Sequence, residues 1–319
     1  IYDETVHTVT VTVAQDADNQ LITTVNYANG EKPTITNIYV GPKTGQIKAT
    51  KTLEGAELQD EQFTFTLTGE EGVPMPVGTV DGVYTKKNDG QGNIEFPEIL
   101  FTLEDMKDAV NGVKEFNYTV REVLGDAKGY IYDDTVYTVT MVVKQDSETK
   151  QLSVEVKNNV VPGFINYYVN PVEAQIEATK TLSGKNLTAG QFTFELTAKD
   201  GAPMPTGAVN GVLTVKNDAA GKVVFPYITY KLENMTDAVE GVKTFTYSIR
   251  EIPGEANKGI TYDEAVYTAT VTVKTIADNQ LSTEVSYSGN QVPNFVNTYE
   301  AGPAEAIVPV TKTLEKNGL

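Results

Sequence analysis

The chain repeats itself with a period of about 130 residues, and this internal repeat constrains its fold more than any other feature. The segment Ala49–Leu53 returns residue for residue at Ala178–Leu182, and a close copy stands at Val310–Leu314. The stretch Ile131–Val136 also has copies, at the start of the chain and near its end. Self-similarity at a fixed period is typical of an array in which each copy folds as one structural unit.

Both ends of the chain are out of register with this repeat. The first residue is not Met, which we interpret as processing or truncation of whatever preceded it. We therefore expect a fragment of a longer array. Its predicted segments are residues 1–42, the C-terminal part of an incomplete repeat; 43–170 and 171–300, two complete repeats; and 301–319, the first strand of a further incomplete repeat.

The local pattern within each repeat is that of β-structure. Apolar side chains alternate with threonines, as in Phe63, Phe65 and Leu67, and such period-two alternation is typical of half-buried strands. Turn residues separate these stretches, and one short helical turn is expected around residues 103–110, with a twin at 232–239. This pattern predicts an all-β fold, with one immunoglobulin-like antiparallel β-sandwich and one short helical turn per repeat.

The composition excludes several classes of function. The chain has no cysteine, which rules out disulfides, thiolate metal sites and cysteine nucleophiles. Its 43 acidic and 25 basic side chains give a net charge of -18, which disfavours nucleic acid and anionic lipid as partners. No run of 18 apolar residues is present, so no membrane insertion is expected. We also predict no cofactor and no metal site.

Each complete repeat places three polar side chains on strand faces that are otherwise apolar. They are Lys51, Glu122 and Asn166 in the first repeat, and Lys180, Glu251 and Asn297 in the second. Burying a lone charge costs several kcal/mol, so these side chains are expected to find one another.

Two interpretations of such a cluster are open. The first is a structural ion pair with a hydrogen-bonded amide. The second is covalent: burial lowers the pKa of the lysine and raises that of the glutamate, which leaves a neutral, nucleophilic amine beside an electrophilic amide carbon. A protonated glutamate would then bond the amide oxygen and shuttle protons as ammonia leaves. The product is a Lys–Asn isopeptide bond, formed once and without turnover, so the protein would not be an enzyme in the usual sense.

Four motifs occur in the same order in both repeats: Thr-Lys-Thr-Leu, Phe-Thr-Phe, Tyr-Thr-Val-Arg-Glu with its variant Tyr-Ser-Ile-Arg-Glu, and Phe-x-Asn-x-Tyr. This set resembles the pilin isopeptide-linkage domains of Gram-positive backbone pilins and surface adhesins, which have CnaB-like folds. The resemblance implies a sandwich in which a lysine of the first strand is joined autocatalytically to an asparagine of the last strand, with glutamate as catalyst.

Carried over by position, the resemblance implies specific bonds. They are Lys51 to Asn166 with Glu122 as catalyst, and Lys180 to Asn297 with Glu251 as catalyst. Two further copies are unaccompanied: Asn37 follows no matching lysine or glutamate, and Lys312 precedes no matching glutamate or asparagine. These two residues could pair only with chain that is absent or with another molecule.

The function predicted from these observations is structural. The repeats would form the stalk of a cell-surface filament (a pilus or fimbrium) or of a fibrous adhesin, outside the cell and attached to its wall. Neighbouring repeats or subunits, joined end to end, would be the partners. An alternative is an adhesin that recognises a host glycan or protein through loops at the sandwich ends. A hydrolase is a weaker alternative, because each Lys–Glu pair already has an amide partner in its own chain.

Overall fold

The computed structural model describes residues 1–254 and 259–316, and these form two compact units. Unit 1 comprises Ile1–Leu53, Glu57–Gly125 and Tyr132–Asn166. Unit 2 comprises Glu54–Ala56, Asp126–Ile131 and the chain from Tyr167 onward. Nearly all of the regular structure is β, which confirms the all-β prediction.

The strands before and within the first complete repeat are β1 (Val9–Gln15), β2 (Leu21–Tyr27), β3 (Lys43–Gly45), β4 (Lys48–Glu54), β5 (Thr64–Gly69), β6 (Val83–Lys87), β7 (Asn93–Glu95), β8 (Ile99–Phe101), β9 (Val113–Glu122), β10 (Tyr130–Ile131), β11 (Val136–Gln145), β12 (Leu152–Val156) and β13 (Gly163–Tyr168). Those of the second are β14 (Val172–Ala174), β15 (Glu177–Ser183), β16 (Thr193–Ala198), β17 (Val212–Lys216), β18 (Lys222–Val224), β19 (Ile228–Tyr230), β20 (Val242–Ile252), β21 (Ile260–Thr261), β22 (Val266–Thr275), β23 (Leu281–Tyr287) and β24 (Asn294–Tyr299).

Each complete repeat is a sandwich of a four-stranded and a five-stranded sheet. In the first repeat the strand orders are β10-β13-β4-β7 and β12-β11-β9-β5-β6, and the second repeat has the same topology. Aromatic rings from the two sheets meet in the core. The ring centroids of Phe65 and Phe164 are 5.1 Å apart, and those of Phe194 and Phe295 are 5.2 Å apart. Such cross-sheet contacts are those of two sheets packed face to face.

In chain order, the first and last strands of the four-stranded sheet are direct neighbours: β4 and β13 in the first repeat, β15 and β24 in the second. In the second repeat β15 pairs with β24 in parallel, with Thr179 opposite Asn294 and Leu182 opposite Asn297. A parallel pair requires a long crossover between its strands, and here the crossover is nearly the whole repeat. The structure therefore adds a parallel strand pair to the antiparallel sandwich that the sequence predicted.

The predicted helical turns are present as short 3₁₀ helices, Glu104–Met106 in the first repeat and Leu232–Met235 in the second. Each turn buries its methionine against the core. The three-residue segments Lys157–Asn159 and Ala277–Asn279 also form tight turns, but Asn158 and Asp278 lie in the left-handed region, at φ of +58° and +56°, so these turns are not helical.

The terminal segments carry little structure of their own. Strands β1 and β2 form an antiparallel hairpin whose side chains, including Val11 and Val13, are exposed. A two-stranded hairpin has no second sheet to cover its apolar face. Residues 301–316 contain no strand and are exposed. The remaining residues of the predicted terminal strand, 317–319, lie outside the described part of the chain.

A glycine at the end of β15 tests the parallel pair. Gly184 has a φ of +86°, and a Cβ added there would overlap the backbone carbonyl oxygen of Tyr299, at the end of β24. Gly201 has a similar φ of +72°, but a Cβ there would meet nothing within 4 Å. Both substitutions to alanine strain the backbone, by about 1 kcal/mol. We expect Gly184→Ala to destabilise the protein by a further 1–3 kcal/mol or so, as overpacking does. Urea unfolding of the two variants measures this difference, and equal losses would contradict the pairing.

Candidate functional site

The lysine of the candidate site lies inside the sandwich because of strict alternation along its strand. In β4, Ala49, Lys51 and Leu53 are buried while the residues between them are exposed. Lys180 occupies the same position in β15. Each lysine is 3% exposed as a residue, a rare condition for this side chain unless it is paired.

The glutamate comes from the opposite sheet. Glu122 is the last residue of β9, and Glu251 is the penultimate residue of β20. Each lies opposite a core phenylalanine of the neighbouring strand, Phe65 and Phe194 respectively. Both glutamates are 4% exposed, so the carboxyl group has been taken out of water.

The asparagine lies beside the lysine strand. Asn166 in β13 and Asn297 in β24 are both fully buried. In the parallel pair of the second repeat, Lys180 lies opposite Phe295, two residues before Asn297. The lysine and the asparagine are therefore diagonal neighbours on the same face, since side chains two residues apart on a strand point the same way.

In each repeat one carboxylate bridges the amine and the amide, and we call the three side chains the Lys–Glu–Asn cluster. In the first repeat, Lys51 Nζ donates to Glu122 Oε2 at 2.7 Å, and Asn166 Nδ2 donates to Glu122 Oε1 at 2.6 Å. In the second, Lys180 Nζ lies 2.7 Å from Glu251 Oε2, and Asn297 Nδ2 lies 2.7 Å from Glu251 Oε1. The structure thus brings together the three predicted side chains in each repeat. The same atoms form the hydrogen bonds in both repeats, at nearly the same distances.

The surroundings of each cluster are apolar. The side chains of both ion pairs have no exposed surface. Lys51 Nζ lies 4.7 Å from the centroid of the Phe63 ring, and Lys180 Nζ lies 4.6 Å from that of Phe192. Because both side chains are buried, their charged forms lose hydration, and the apolar surroundings favour the neutral amine and the neutral carboxyl group.

Burial shifts the two pKa values toward each other. Desolvation lowers the pKa of Lys51 below 10.5, against the opposing effect of its hydrogen bond to Glu122. Desolvation likewise raises the pKa of Glu122 above 4.5, although its hydrogen bonds to Lys51 and Asn166 oppose the shift. Lys180 and Glu251 shift in the same directions for the same reasons. A neutral amine beside a protonated carboxyl group is therefore favoured compared with the same pair in water.

The oxygen of the asparagine amide has a partner that the sequence analysis missed. The backbone N–H of Asp133 donates to Asn166 Oδ1 at 2.7 Å, and that of Asp263 donates to Asn297 Oδ1 at 2.7 Å. We expected the glutamate to bond this oxygen, but it bonds the amide nitrogen instead. The recurring Tyr-Asp dipeptide was visible as part of the repeat, but a backbone donor has no sequence signature of its own.

The two unaccompanied copies lie outside these clusters. Asn37 Oδ1 accepts a hydrogen bond from the backbone N–H of Asp3 at 3.0 Å. Lys312 is exposed, in the strandless segment 301–316. The structure brings neither residue to a Lys–Glu–Asn cluster.

Two other features bear on the kind of protein. In the part of the chain that the structure describes, no helix is both long and apolar enough to cross a membrane. Among the same residues, no group of three or more His, Asp or Glu side chains is placed to hold a metal ion.

Tandem β-sandwiches with a buried Lys–Glu–Asn cluster are the arrangement expected of isopeptide-containing domains. The family model described as the Spy0128-like isopeptide containing domain (FctA) matches residues 47–169 and, a second time, residues 176–300. The chain belongs to this family. No match was found among the curated proteins.

The solved structures similar to this chain include pilus proteins of Gram-positive bacteria. A major pilin protein (T-13) of Streptococcus pyogenes is 17% identical, over 82% of this chain and 100% of that one, with a TM-score of 0.27. Another major pilin of the same species is 15% identical, over 80% and 98%, with a TM-score of 0.29. A C-terminal fragment of the pilus adhesin SpaC of Lactobacillus rhamnosus GG is 14% identical, over 83% and 100%, with a TM-score of 0.24.

The pKa shifts predict an unusual dependence of stability on pH in a repeat that cannot react. In Asn166→Ala, the raised pKa of Glu122 means that the native state holds this proton more tightly than the unfolded chain does. Its contribution to stability is therefore present below pH 4.5 and lost as the pH rises through the native pKa. The lowered pKa of Lys51 has the opposite sign, so stability is regained as the pH approaches 10.5.

We therefore expect Asn166→Ala to be least stable, relative to a control that also carries Lys51→Met and Glu122→Met, at neutral pH. Urea unfolding of both variants over the pH range gives the difference in free energy of unfolding. A difference that does not vary with pH would mean that the pair titrates as it does in water.

Proposed function

We propose that each complete repeat cross-links itself through an isopeptide bond, Lys51 to Asn166 and Lys180 to Asn297, with Glu122 and Glu251 as the catalysts. We further propose that the repeats form the shaft of a pilus or fibrous adhesin on a bacterial surface. The observation that carries the proposal is the buried carboxylate that contacts the attacking amine with one oxygen and the amide nitrogen with the other.

This geometry supports a proton relay through the glutamate. The lysine ammonium first gives a proton to the Glu122 carboxylate, which leaves a neutral amine. Nζ of Lys51 then attacks Cγ of Asn166 and forms the new C–N bond. Glu122 donates its proton to Nδ2 and takes one from Nζ, so that the old C–N bond breaks and ammonia leaves. The carboxyl group ends protonated, and the products are one amide bond and one ammonia.

The bond would covalently join β4 to β13, which are neighbours in one sheet, and β15 to its parallel partner β24. Its ends are separated by 115 residues in the first repeat and 117 in the second. Closing loops of this size stabilises a folded chain by roughly 4–5 kcal/mol in the chain-entropy model used for disulfides. Tension that enters at Lys51 would leave through Asn166 without loading the strands between them.

A filament shaft fits this mechanical role. The family is one of pilin and pilus-adhesin domains, whose members are structural proteins and not typical enzymes. Pilins are subunits assembled into a surface filament, so the proposed partners are neighbouring repeats or subunits, placed end to end. The net charge of -18 suits a shaft that stays in solution outside the cell.

The mass of the intact protein tests the covalent chemistry directly. Each bond removes one ammonia, so we expect a mass roughly 34 Da below that of the sequence. Glu122→Ala should reduce the loss to roughly 17 Da, because the second repeat still reacts. The matched control is Glu115→Ala, an exposed glutamate on the same strand, which should retain the full loss. An unmodified mass in the unaltered protein would falsify the proposal.

A second test measures what the bond contributes to stability. Asn166→Ala should lower the free energy of unfolding of the first repeat by roughly 4–5 kcal/mol or more, since it removes the loop closure. Asn37→Ala removes the equivalent asparagine of a segment that lacks the cluster and should leave that repeat unchanged. Urea unfolding and resistance to trypsin report the effect. Equal behaviour of the two variants would argue that no cross-link forms.

A further inference from the structure

In each repeat one aspartate outside the Lys–Glu–Asn cluster contacts the reacting amide: Asp133 in the first repeat and Asp263 in the second. We infer that the backbone N–H groups of Asp133 and Asp263 stabilise the oxyanion formed during bond formation, and that each aspartate carboxylate holds its own N–H in place. This inference rests on the proposed function, because it assigns a role within the same reaction.

The orientation of the amide follows from the chemistry of its neighbours. A backbone N–H can only donate, so the atom of Asn166 that lies 2.7 Å from the nitrogen of Asp133 must be the oxygen. The amide nitrogen then faces Glu122, which is the group that protonates it as it leaves. The Asp133 N–H thus selects the orientation in which the leaving group, and not the oxygen, faces the proton donor.

The aspartate carboxylate ties the turn to the strand that carries the asparagine. Asp133 Oδ2 accepts a hydrogen bond from the backbone N–H of Ile165, next to Asn166, at 2.8 Å. Its Oδ1 accepts from the N–H of Thr135 at 2.9 Å. Because these two bonds fix the turn at residues 133–135 against β13, the distance from the Asp133 N–H to Asn166 Oδ1 is set.

The second repeat reproduces this arrangement. Asp263 Oδ2 accepts from the N–H of Val296, next to Asn297, at 2.8 Å, and its Oδ1 accepts from the N–H of Ala265 at 2.9 Å. We call the hydrogen bonds made by the N–H and the carboxylate of this aspartate the clamp. The clamp uses the same atoms in both repeats, although the residues bonded to the carboxylate differ: Ile165 and Thr135 in one repeat, Val296 and Ala265 in the other. It therefore depends on the aspartate and the backbone.

A third copy shows that the clamp forms without the charged pair. The N–H of Asp3 donates to Asn37 Oδ1 at 3.0 Å, and the Asp3 carboxylate accepts from the N–H groups of Thr36 and Thr5 at 3.0 and 2.9 Å. Residues 1–42 contribute no counterpart of Lys51 or Glu122. The aspartate turn alone therefore orients the amide, and the donor is in place before the lysine attacks.

This placement matters because attack converts the amide oxygen into an oxyanion inside an apolar core. A donor already aimed at that oxygen stabilises the developing charge without reorganisation, and removing one such donor from an enzyme slows the reaction by about 10²–10³-fold. Glu122 is occupied with the amine and the amide nitrogen, so the Asp133 N–H supplies what the glutamate does not.

The test is the rate of bond formation in newly made full-length chain. Pulsed cell-free synthesis, followed by mass spectrometry of the cross-linked Lys51–Asn166 and Lys180–Asn297 peptides, gives the rate of each bond in the same molecule. Replacing the amide of residue 133 by an ester, through incorporation of the α-hydroxy analogue of aspartate, removes the N–H and retains the carboxylate. We expect the first bond to form about 10²–10³-fold more slowly and the second at its ordinary rate.

Side-chain variants separate positioning from general structure. Asp133→Ala should slow only the first bond, by less than the ester does, because the N–H remains but is no longer held; Asp263→Ala should slow only the second. Asp3→Ala, which breaks the clamp where there is no cluster, should change neither rate. If Asp133→Ala fails to fold, circular dichroism will report this, and the ester variant with an intact carboxylate still decides.

The outcomes distinguish the inference from the proposal on which it rests. If neither bond forms in the unaltered chain, both ideas fail. If both bonds form, Glu122→Ala abolishes the first and the ester at residue 133 leaves its rate unchanged, the proposed function stands and the oxyanion role is overturned.

Discussion

The structure depends on one buried carboxylate in each repeat that holds an amine with one oxygen and an amide with the other. A charge placed alone in such a core would cost several kcal/mol, so the three strands that carry Lys51, Glu122 and Asn166 must arrive together. Two of these strands belong to one sheet and the third to the other. The cluster therefore depends on the topology, because β4, β9 and β13 meet only when the two sheets pack face to face.

The parallel pairing of the first and last strands connects this topology to the chemistry. In the second repeat, residues 117 positions apart become neighbours because nearly the whole repeat serves as the crossover between the parallel strands β15 and β24. A bond between such strands closes nearly the largest loop that the repeat contains. The same arrangement puts the lysine and the asparagine on one inward face, where water is excluded and the pKa shifts favour a neutral amine.

The turn that begins at Asp133 fixes the orientation of the Asn166 amide before any reaction. Its backbone N–H bonds the amide oxygen, and its carboxylate grips the adjacent residue of the same strand. The arrangement recurs in all three copies, including residues 1–42, which lack the lysine and the glutamate. Amide orientation is thus a property of the turn, and the charged pair is built against an asparagine that is already held.

The sequence by itself determined the repeat, the all-β class and the identity of three inward polar residues per repeat. Period-two alternation assigns each side chain to a face, so Lys51, Glu122 and Asn166 could be recognised as buried without knowing what they touch. Only the tertiary structure decided that β15 and β24 run parallel, that the glutamate bonds the amide nitrogen, and that a backbone N–H of Asp133 bonds the oxygen. The physical reason is that strand pairing across more than 100 residues has no local pattern, and a backbone donor is the same group at every residue except proline.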